Sequence, residues 1–192
     1  WLVVRKWCVA RRGAFDFAEW SRAACSVWSF IEKCGARVHV GGIAHVRDVS
    51  GPAVFVANHM STLETLITPP MVYPFKKPVF VVKRQLASVP LFGIFLKNCI
   101  TVDRKKASDD FRQVMAQGAE KISLGYSVIV FPQATRSVTF MPERFNTLGV
   151  KLAKRAGVPV IPLALKTDFW GTGRFIKDFG PLDPSAEVFF GF

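Results

Sequence analysis

Several function classes are excluded by what the chain lacks. There are four cysteines, Cys8, Cys25, Cys34 and Cys99, without a Cys-x-x-Cys pair or a histidine at zinc-ligand spacing beside them, so neither a disulfide scaffold nor a zinc module is encoded. They are expected to be reduced, buried thiols, and no metal is expected. The chain has no Gly-x-Ser-x-Gly elbow, no P-loop and no Gly-x-Gly-x-x-Gly turn after a strand, the usual marks of serine hydrolases, nucleoside triphosphatases and dinucleotide enzymes. The longest uncharged apolar stretch near the start, residues 23–31, is less than half of the roughly 20 residues that a spanning helix needs. Acidic residues are scarce: 14 Asp and Glu against 26 Lys and Arg leave a net charge of +12. Such a balance calls for anionic surroundings: a phosphate, a nucleic acid or a lipid surface.

What is present fits one compact domain, alone or with a small appendage: 192 residues, 50% of them apolar, rule out disorder and leave little room for two large domains. The first residue is Trp rather than Met, and Gly191-Phe192 falls inside an expected strand, so a fragment or trimmed chain is expected, and an anchor upstream of residue 1 is compatible with it.

Residues 1–35 stand apart. Trp1, Trp7, Trp20 and Trp28 lie there beside Arg5, Lys6, Arg11, Arg12 and Arg22, and Phe17, Trp20, Ala24, Val27 and Ile31 recur at helical spacing. Tryptophan and cations on an amphipathic helix suit a membrane interface; a helix packed on the domain core is the alternative. Gly13 is expected to separate two short helices and Gly35 to stop the second.

From Arg37 the pattern becomes short β segments alternating with helices, an α/β fold. Strands are expected at 37–40, 53–57, 79–82, 100–102, 128–131 and 160–165. Ser108 is positioned to cap a helix with Asp109 and Asp110 in its first turn, Phe111, Val114, Met115 and Ile122 on its buried face, and an end at Gly125. A further helix is expected from Thr147 to Ala156, closed by Gly157.

Asn58-His59-Met60-Ser61-Thr62-Leu63-Glu64 directly follows the strongest buried strand, where α/β folds place their sites. On one continuous helix His59 and Glu64 would point about 140° apart. They meet only if the backbone turns between them, which Ser61 supplies as an N-cap opening a helix at Thr62. A carboxylate beside the imidazole would fix its tautomer and let His59 take a proton from a hydroxyl. The competing reading is a capping box, Glu64 bonding the Ser61 amide, with His59 a mere loop residue. Lys83-Arg84, Asp103-Arg104 and the turn Phe131-Pro132-Gln133-Ala134-Thr135-Arg136-Ser137 also follow strands. Singly, each cation reads as a solvated surface charge; together they suit a phosphate.

Four blocks in order resemble the glycerolipid acyltransferase family, 1-acylglycerol-3-phosphate and other lysophospholipid acyltransferases among its members. They are NHMSTLE at 58–64, GIFLKNCITVDR at 93–104, FPQATRS at 131–137 and VPVIPLA at 158–164, and the similarity covers about residues 37–192. The resemblance implies a mixed sheet flanked by helices, a domain over 36–192 behind the helical segment 1–35, and acyl transfer from a thioester of acyl carrier protein or coenzyme A to a lysophospholipid hydroxyl, 1-acylglycerol 3-phosphate first, giving phosphatidate, with glycerol 3-phosphate or another lysolipid as the alternative acceptor. It implies His59 as general base, Glu64 in the place of the family's usual Asp, and no cofactor beyond the thioester co-substrate. Arg104, Arg136 and Lys83 would hold the acceptor phosphate, and Gln133, Ala134, Thr135 and Ser137 would form the head-group turn. Pro159 and Pro162 would wall the acyl channel or simply stiffen strand ends. The resemblance further implies a lipid substrate, an anionic membrane surface on the cytoplasmic side as partner, peripheral attachment, and acyl carrier protein as a candidate partner.

Three departures bear on activity. Glu64 adds a methylene, Gln133 removes a negative charge next to Arg136, and Ala134 replaces a glycine that an oxyanion-binding turn could need. A nucleic-acid-binding protein is disfavoured, because the phenylalanines fall in apolar runs rather than alternating with Lys and Arg on a stacking face. A membrane-binding member without catalysis rests on Gln133 and Ala134 alone.

Overall fold

The structure, a computed structural model, describes residues 16–87, 96, 98–133, 135–175, 177–178 and 180–192. The expectations for Trp1, Trp7, Cys8, Gly13 and Ala134, and for most of the 88–97 connection, lie outside these residues.

The apolar runs read as strands are strands, and their alternation explains why they are apolar throughout. β1 (Arg37–Gly41), β2 (Val54–Ala57), β3 (Lys77–Lys83), β4 (Ile100–Val102), β5 (Tyr126–Val130), β6 (Val160–Lys166) and β7 (Glu187–Gly191) form a seven-stranded sheet in the order β1-β7-β6-β2-β5-β3-β4. On the central strands Phe55, Phe80 and Ile129 face one core, while their neighbours Val54, Val79, Val128 and Val130 face another. Both faces are covered, so neither side of these strands can be polar. β6, β2, β5, β3 and β4 run parallel, β7 pairs antiparallel with β6, and β1 pairs parallel with β7. The sheet is therefore mixed, and its five-strand parallel block brings five carboxyl ends to one edge.

The first core is closed by α1 (Phe17–Lys33) and α3 (Leu63–Val72), and the second by α5 (Ala107–Ser123) and α6 (Leu148–Ala156). Two short helices, α2 (Ile43–Arg47) and α4 (Arg84–Ala87), fill connections. Asp16 caps α1 by accepting the Glu19 amide at 2.8 Å. The apolar stripe read from the sequence is its inward face: Ile31 is fully buried, Phe17 stacks on Tyr73 at 6.1 Å, and Trp20 meets Phe80 edge-on at 5.8 Å. This part of the helical segment is thus packed on the domain, and it leaves Arg22, Phe30 and Lys33 exposed. Among the described residues no helix is long and apolar enough to cross a membrane.

Three local expectations are corrected. Cys25 is exposed and Cys34 half-buried, so of the described cysteines only Cys99 is buried; loss of solvent pushes its thiol up to about 11. α5 starts at Ala107 with Lys106 in the cap position, so Ser108 lies in the first turn instead of capping it. Phe111 is 38% exposed, because its ring lies under the Lys151 ammonium at 5.6 Å rather than against the sheet.

Candidate active site

β2 delivers His59 to the carboxyl edge of the sheet and the chain turns before α3 begins, so the histidine stands in a loop. Asn58 anchors that loop like an extra ladder rung: its Nδ2 donates to Leu165 O at 2.8 Å, and its Oδ1 accepts the Leu165 amide at 2.7 Å. The His59 N–H donates to Gln133 Oε1 at 2.6 Å, and the His59 carbonyl accepts the Ser137 amide at 2.9 Å. The turn after β5 therefore holds the His59 peptide from both sides. The imidazole stacks on Phe131 with centroids 4.3 Å apart, and Nδ1 lies 2.6 Å from Glu64 Oε1.

Glu64 is wholly buried in the first turn of α3. Its Oε1 also accepts the amides of Met60 at 2.7 Å and Ser61 at 3.0 Å, while Oε2 accepts the Thr167 hydroxyl at 2.9 Å. The capping contact and the His–carboxylate contact are therefore not alternatives: one oxygen makes both. Ser61 does not open a helix at Thr62 as expected; α3 starts at Leu63, and Ser61 Oγ accepts the Leu63 amide at 3.1 Å. Four donors converge on this buried carboxyl group, and its contact with Nδ1 fixes the orientation of the imidazole.

The three cations read from the sequence all reach this edge, at different distances from His59. Lys83 ends β3 opposite Val102, and Arg104 follows β4; both are exposed. β3 lies two strand spacings from β2, about 10 Å, and β4 three, about 14 Å, so Lys83 and Arg104 stand successively further along the edge from His59. Arg104 has φ 55, a left-handed conformation for a non-glycine residue, in a turn whose amides at 103 and 104 both donate to Asp110 Oδ1 at 3.0 and 3.1 Å. Arg136 lies beside the dyad and is engaged there. Nη2 donates to Asp178 Oδ1 at 2.6 Å and Nη1 to the Thr62 hydroxyl, which in turn donates to Asp178 at 3.1 Å.

The turn residues divide. Gln133 is buried against the His59 peptide, Thr135 is exposed, and Ser137 Oγ donates to Thr139 O at 2.8 Å. Pro159 stands before β6, at the sheet edge away from His59, and its carbonyl accepts the Val54 amide at 3.0 Å. That place fits strand-end rigidity, the second of its two expected parts. Among the described residues no group of three or more His, Cys, Asp and Glu is placed to hold a metal ion.

Sequence reasoning missed Thr167 and Asp178. Thr167 immediately follows β6, so the rule that singled out His59, a polar residue just past a buried parallel strand, could have found it. Asp178 carries no such signal, since it arrives on an irregular segment.

The Acyltransferase family model matches residues 37–166, more than half of the chain. The 1-acyl-sn-glycerol-3-phosphate acyltransferase of Pseudomonas aeruginosa is 32% identical over 169 residues, which cover 86% of this chain and 63% of that protein. The human 1-acyl-sn-glycerol-3-phosphate acyltransferase alpha is 32% identical over 145 residues, covering 71% of this chain and 48% of that one. The chain thus spans between about half and two thirds of these relatives' length. Among solved structures, the 1-acyl-sn-glycerophosphate acyltransferase PlsC of Thermotoga maritima superposes with a TM-score of 0.61 at 24% identity, covering 88% of this chain and 68% of that one, a likeness of fold. With the family model, the relatives and the order of its four blocks in agreement, the chain belongs to the acyltransferase family.

Proposed function

We propose that the protein transfers a fatty acyl chain from a thioester of coenzyme A or acyl carrier protein to the free hydroxyl of a lysophospholipid, 1-acylglycerol 3-phosphate above others, giving phosphatidate. The observation that carries this is the His59–Glu64 contact of 2.6 Å at the carboxyl edge of a sheet that also presents Lys83, Arg104 and Arg136. Glu64 holds the proton on Nδ1 and leaves Nε2 as the basic nitrogen. Nε2 takes the acceptor hydroxyl's proton as its oxygen attacks the thioester carbonyl. The C–S bond then breaks, and the imidazolium returns the proton to the departing thiolate. No acyl-enzyme is required, and the thioester is the sole co-substrate. Arg136, nearest the dyad, takes the acceptor phosphate, with Arg104 and Lys83 supplying positive potential further along the edge. Gln133 and Ser137 hold the His59 backbone, and the turn they belong to, with Ala134 and Thr135, serves the head-group side.

The two relatives, both 1-acyl-sn-glycerol-3-phosphate acyltransferases, support the lysophosphatidate acceptor. We place the protein peripherally on the cytoplasmic face of a membrane, where thioester donors meet lipid, with Trp1, Trp7, Arg5, Lys6, Arg11 and Arg12 contributing to the interface. The test is purified protein with a labelled acyl donor, offered 1-acylglycerol 3-phosphate, other lysolipids, glycerol 3-phosphate or no acceptor. Acceptor-dependent label in phosphatidate that disappears in His59→Ala is expected. Transfer that survives His59→Ala refutes the assignment of the base, and transfer only to glycerol 3-phosphate moves the acceptor.

A further inference from the structure

The His59–Glu64 contact belongs to a longer chain of hydrogen bonds that passes through Thr167, a residue outside all four family-like blocks. Leu63 N–H donates to Ser61 Oγ at 3.1 Å, Ser61 Oγ–H to Thr167 Oγ1 at 3.0 Å, and Thr167 Oγ1–H to Glu64 Oε2 at 2.9 Å. Each hydroxyl has one proton, so the direction is fixed by its ends: an amide that can only donate and a carboxylate that can only accept. Every side chain in it is buried, with Ser61 4% exposed and Thr167 and Glu64 not at all.

From this geometry we infer that Thr167 is a positioning residue of the acyl-transfer site, fixing the plane of the Glu64 carboxylate so that Oε1 faces His59. The inference rests on the proposed role of His59 as base. The two carboxylate oxygens have different surroundings. Oε1 has three donors from one short loop, His59, Met60 and Ser61. Among the described residues the donor to Oε2 is Thr167, 103 positions away in sequence at the end of β6. Without that donor the carboxyl group gains by rotating Oε2 toward another one, which loosens the bond from Oε1 to Nδ1. Thr167 also ties the dyad to the sheet, because Asn58 and Leu165 already join the His59 loop to the same strand. A glutamate reaches further than the aspartate usual at this position in the resembled family. Its extra rotatable bond makes such an anchor matter more here.

Thr167→Val removes the hydroxyl while keeping the shape, Thr167→Ala removes it without risk of crowding, and Thr167→Ser restores it. Two readouts are needed. The first is the proton resonance of the His59 Nδ1–H, identified by its loss in His59→Ala, which does not depend on turnover. It is expected to move upfield or broaden in Val and Ala and to return in Ser. The second is steady-state transfer from a coenzyme A thioester to 1-acylglycerol 3-phosphate: kcat is expected to fall about tenfold to a hundredfold in Val and Ala, with the acceptor KM within twofold and with recovery in Ser. An unchanged resonance in either folded hydroxyl-free variant overturns the inference, as does a loss that falls on KM or is not recovered by Ser. If the wild-type protein shows no transfer, the function proposed above fails while the resonance still decides the role of Thr167.

Discussion

Glu64→Gln separates the two contributions that a single carboxylate oxygen makes in this structure. A glutamine carbonyl in the place of Oε1 can still accept the amides of Met60 and Ser61 and the Nδ1–H of His59. Its amino group would face Thr167 Oγ1, which has a lone pair to receive it, so the start of α3 should survive. What disappears is the charge. With charge centres about 4 Å apart and an effective dielectric near 20, a carboxylate stabilises an imidazolium by about 4 kcal/mol. An uncharged amide retains roughly a quarter to a third of that as an ordinary hydrogen bond. A loss of about 3 kcal/mol in the transition state, where His59 carries the proton, lowers kcat on the order of a hundredfold or more. The assay is initial-rate transfer at saturating donor and acceptor, with thermal unfolding of both proteins alongside. Activity within fivefold of wild type at unchanged Tm would refute the reasoning, because Glu64 would then act only as a helix cap. A collapse of Tm by more than about 10 °C would instead show that the negative charge is needed for the buried network to fold.

Arg136→Ala should lower acceptor kcat/KM about tenfold to a thousandfold while moving donor KM less, and Asp178→Asn, which frees the guanidinium of an anionic competitor at 2.6 Å, should lower acceptor KM several-fold; steady-state kinetics against both substrates decides, and a rise in KM in Asp178→Asn would mean that Asp178 orients Arg136 for the acceptor. Arg104→Gly should leave stability unchanged or raise it by up to about 1 kcal/mol, because glycine accepts the φ of 55 without penalty, yet weaken phosphate-bearing acceptors; denaturant unfolding and kinetics read the two effects separately. Deleting residues 1–15 removes Trp1, Trp7 and the cations Arg5, Lys6, Arg11 and Arg12 while sparing the packed α1; it should weaken binding to anionic vesicles more than turnover on short-chain soluble acceptors, with the residual binding falling as salt rises. Undiminished vesicle binding after that deletion would move the membrane-facing surface elsewhere on the chain.

The fold was legible wherever burial is two-sided or a stop is chemically enforced. Phe55 and Val54 serve opposite cores, so their segment reads as one apolar run, and Gly157 closes α6 with φ 66, a conformation open to glycine. The errors came where one residue type can satisfy the same group in more than one way. Ser108 resembled a cap, but α5 starts one residue earlier, and Asp110 in its first turn takes the backbone amides of Asp103 and Arg104 instead. Phe111 fits the apolar stripe of α5 by spacing, yet a cation from α6 offers its ring a partner outside the core.

The candidate site shows the same division at closer range. His59 and Glu64 are five residues apart, and the turn between them is local, so the pairing could be argued from the spacing and the strand end alone. Choosing between a helix cap and a His–carboxylate pair looked necessary only because a local sequence does not count lone pairs. A carboxylate has about four acceptor sites, and here Oε1 serves the cap and the imidazole together. The partners of Oε2 and of Arg136 are 103 and 42 residues distant and are brought in by the end of β6 and the segment behind it. No periodicity records that meeting, because it depends on the order of strands in the sheet. β6 lies next to β2, and that adjacency puts Thr167 within reach of a carboxylate on α3. The His59–Glu64 pair was therefore local and readable, while the contacts that fix its orientation belong to the topology.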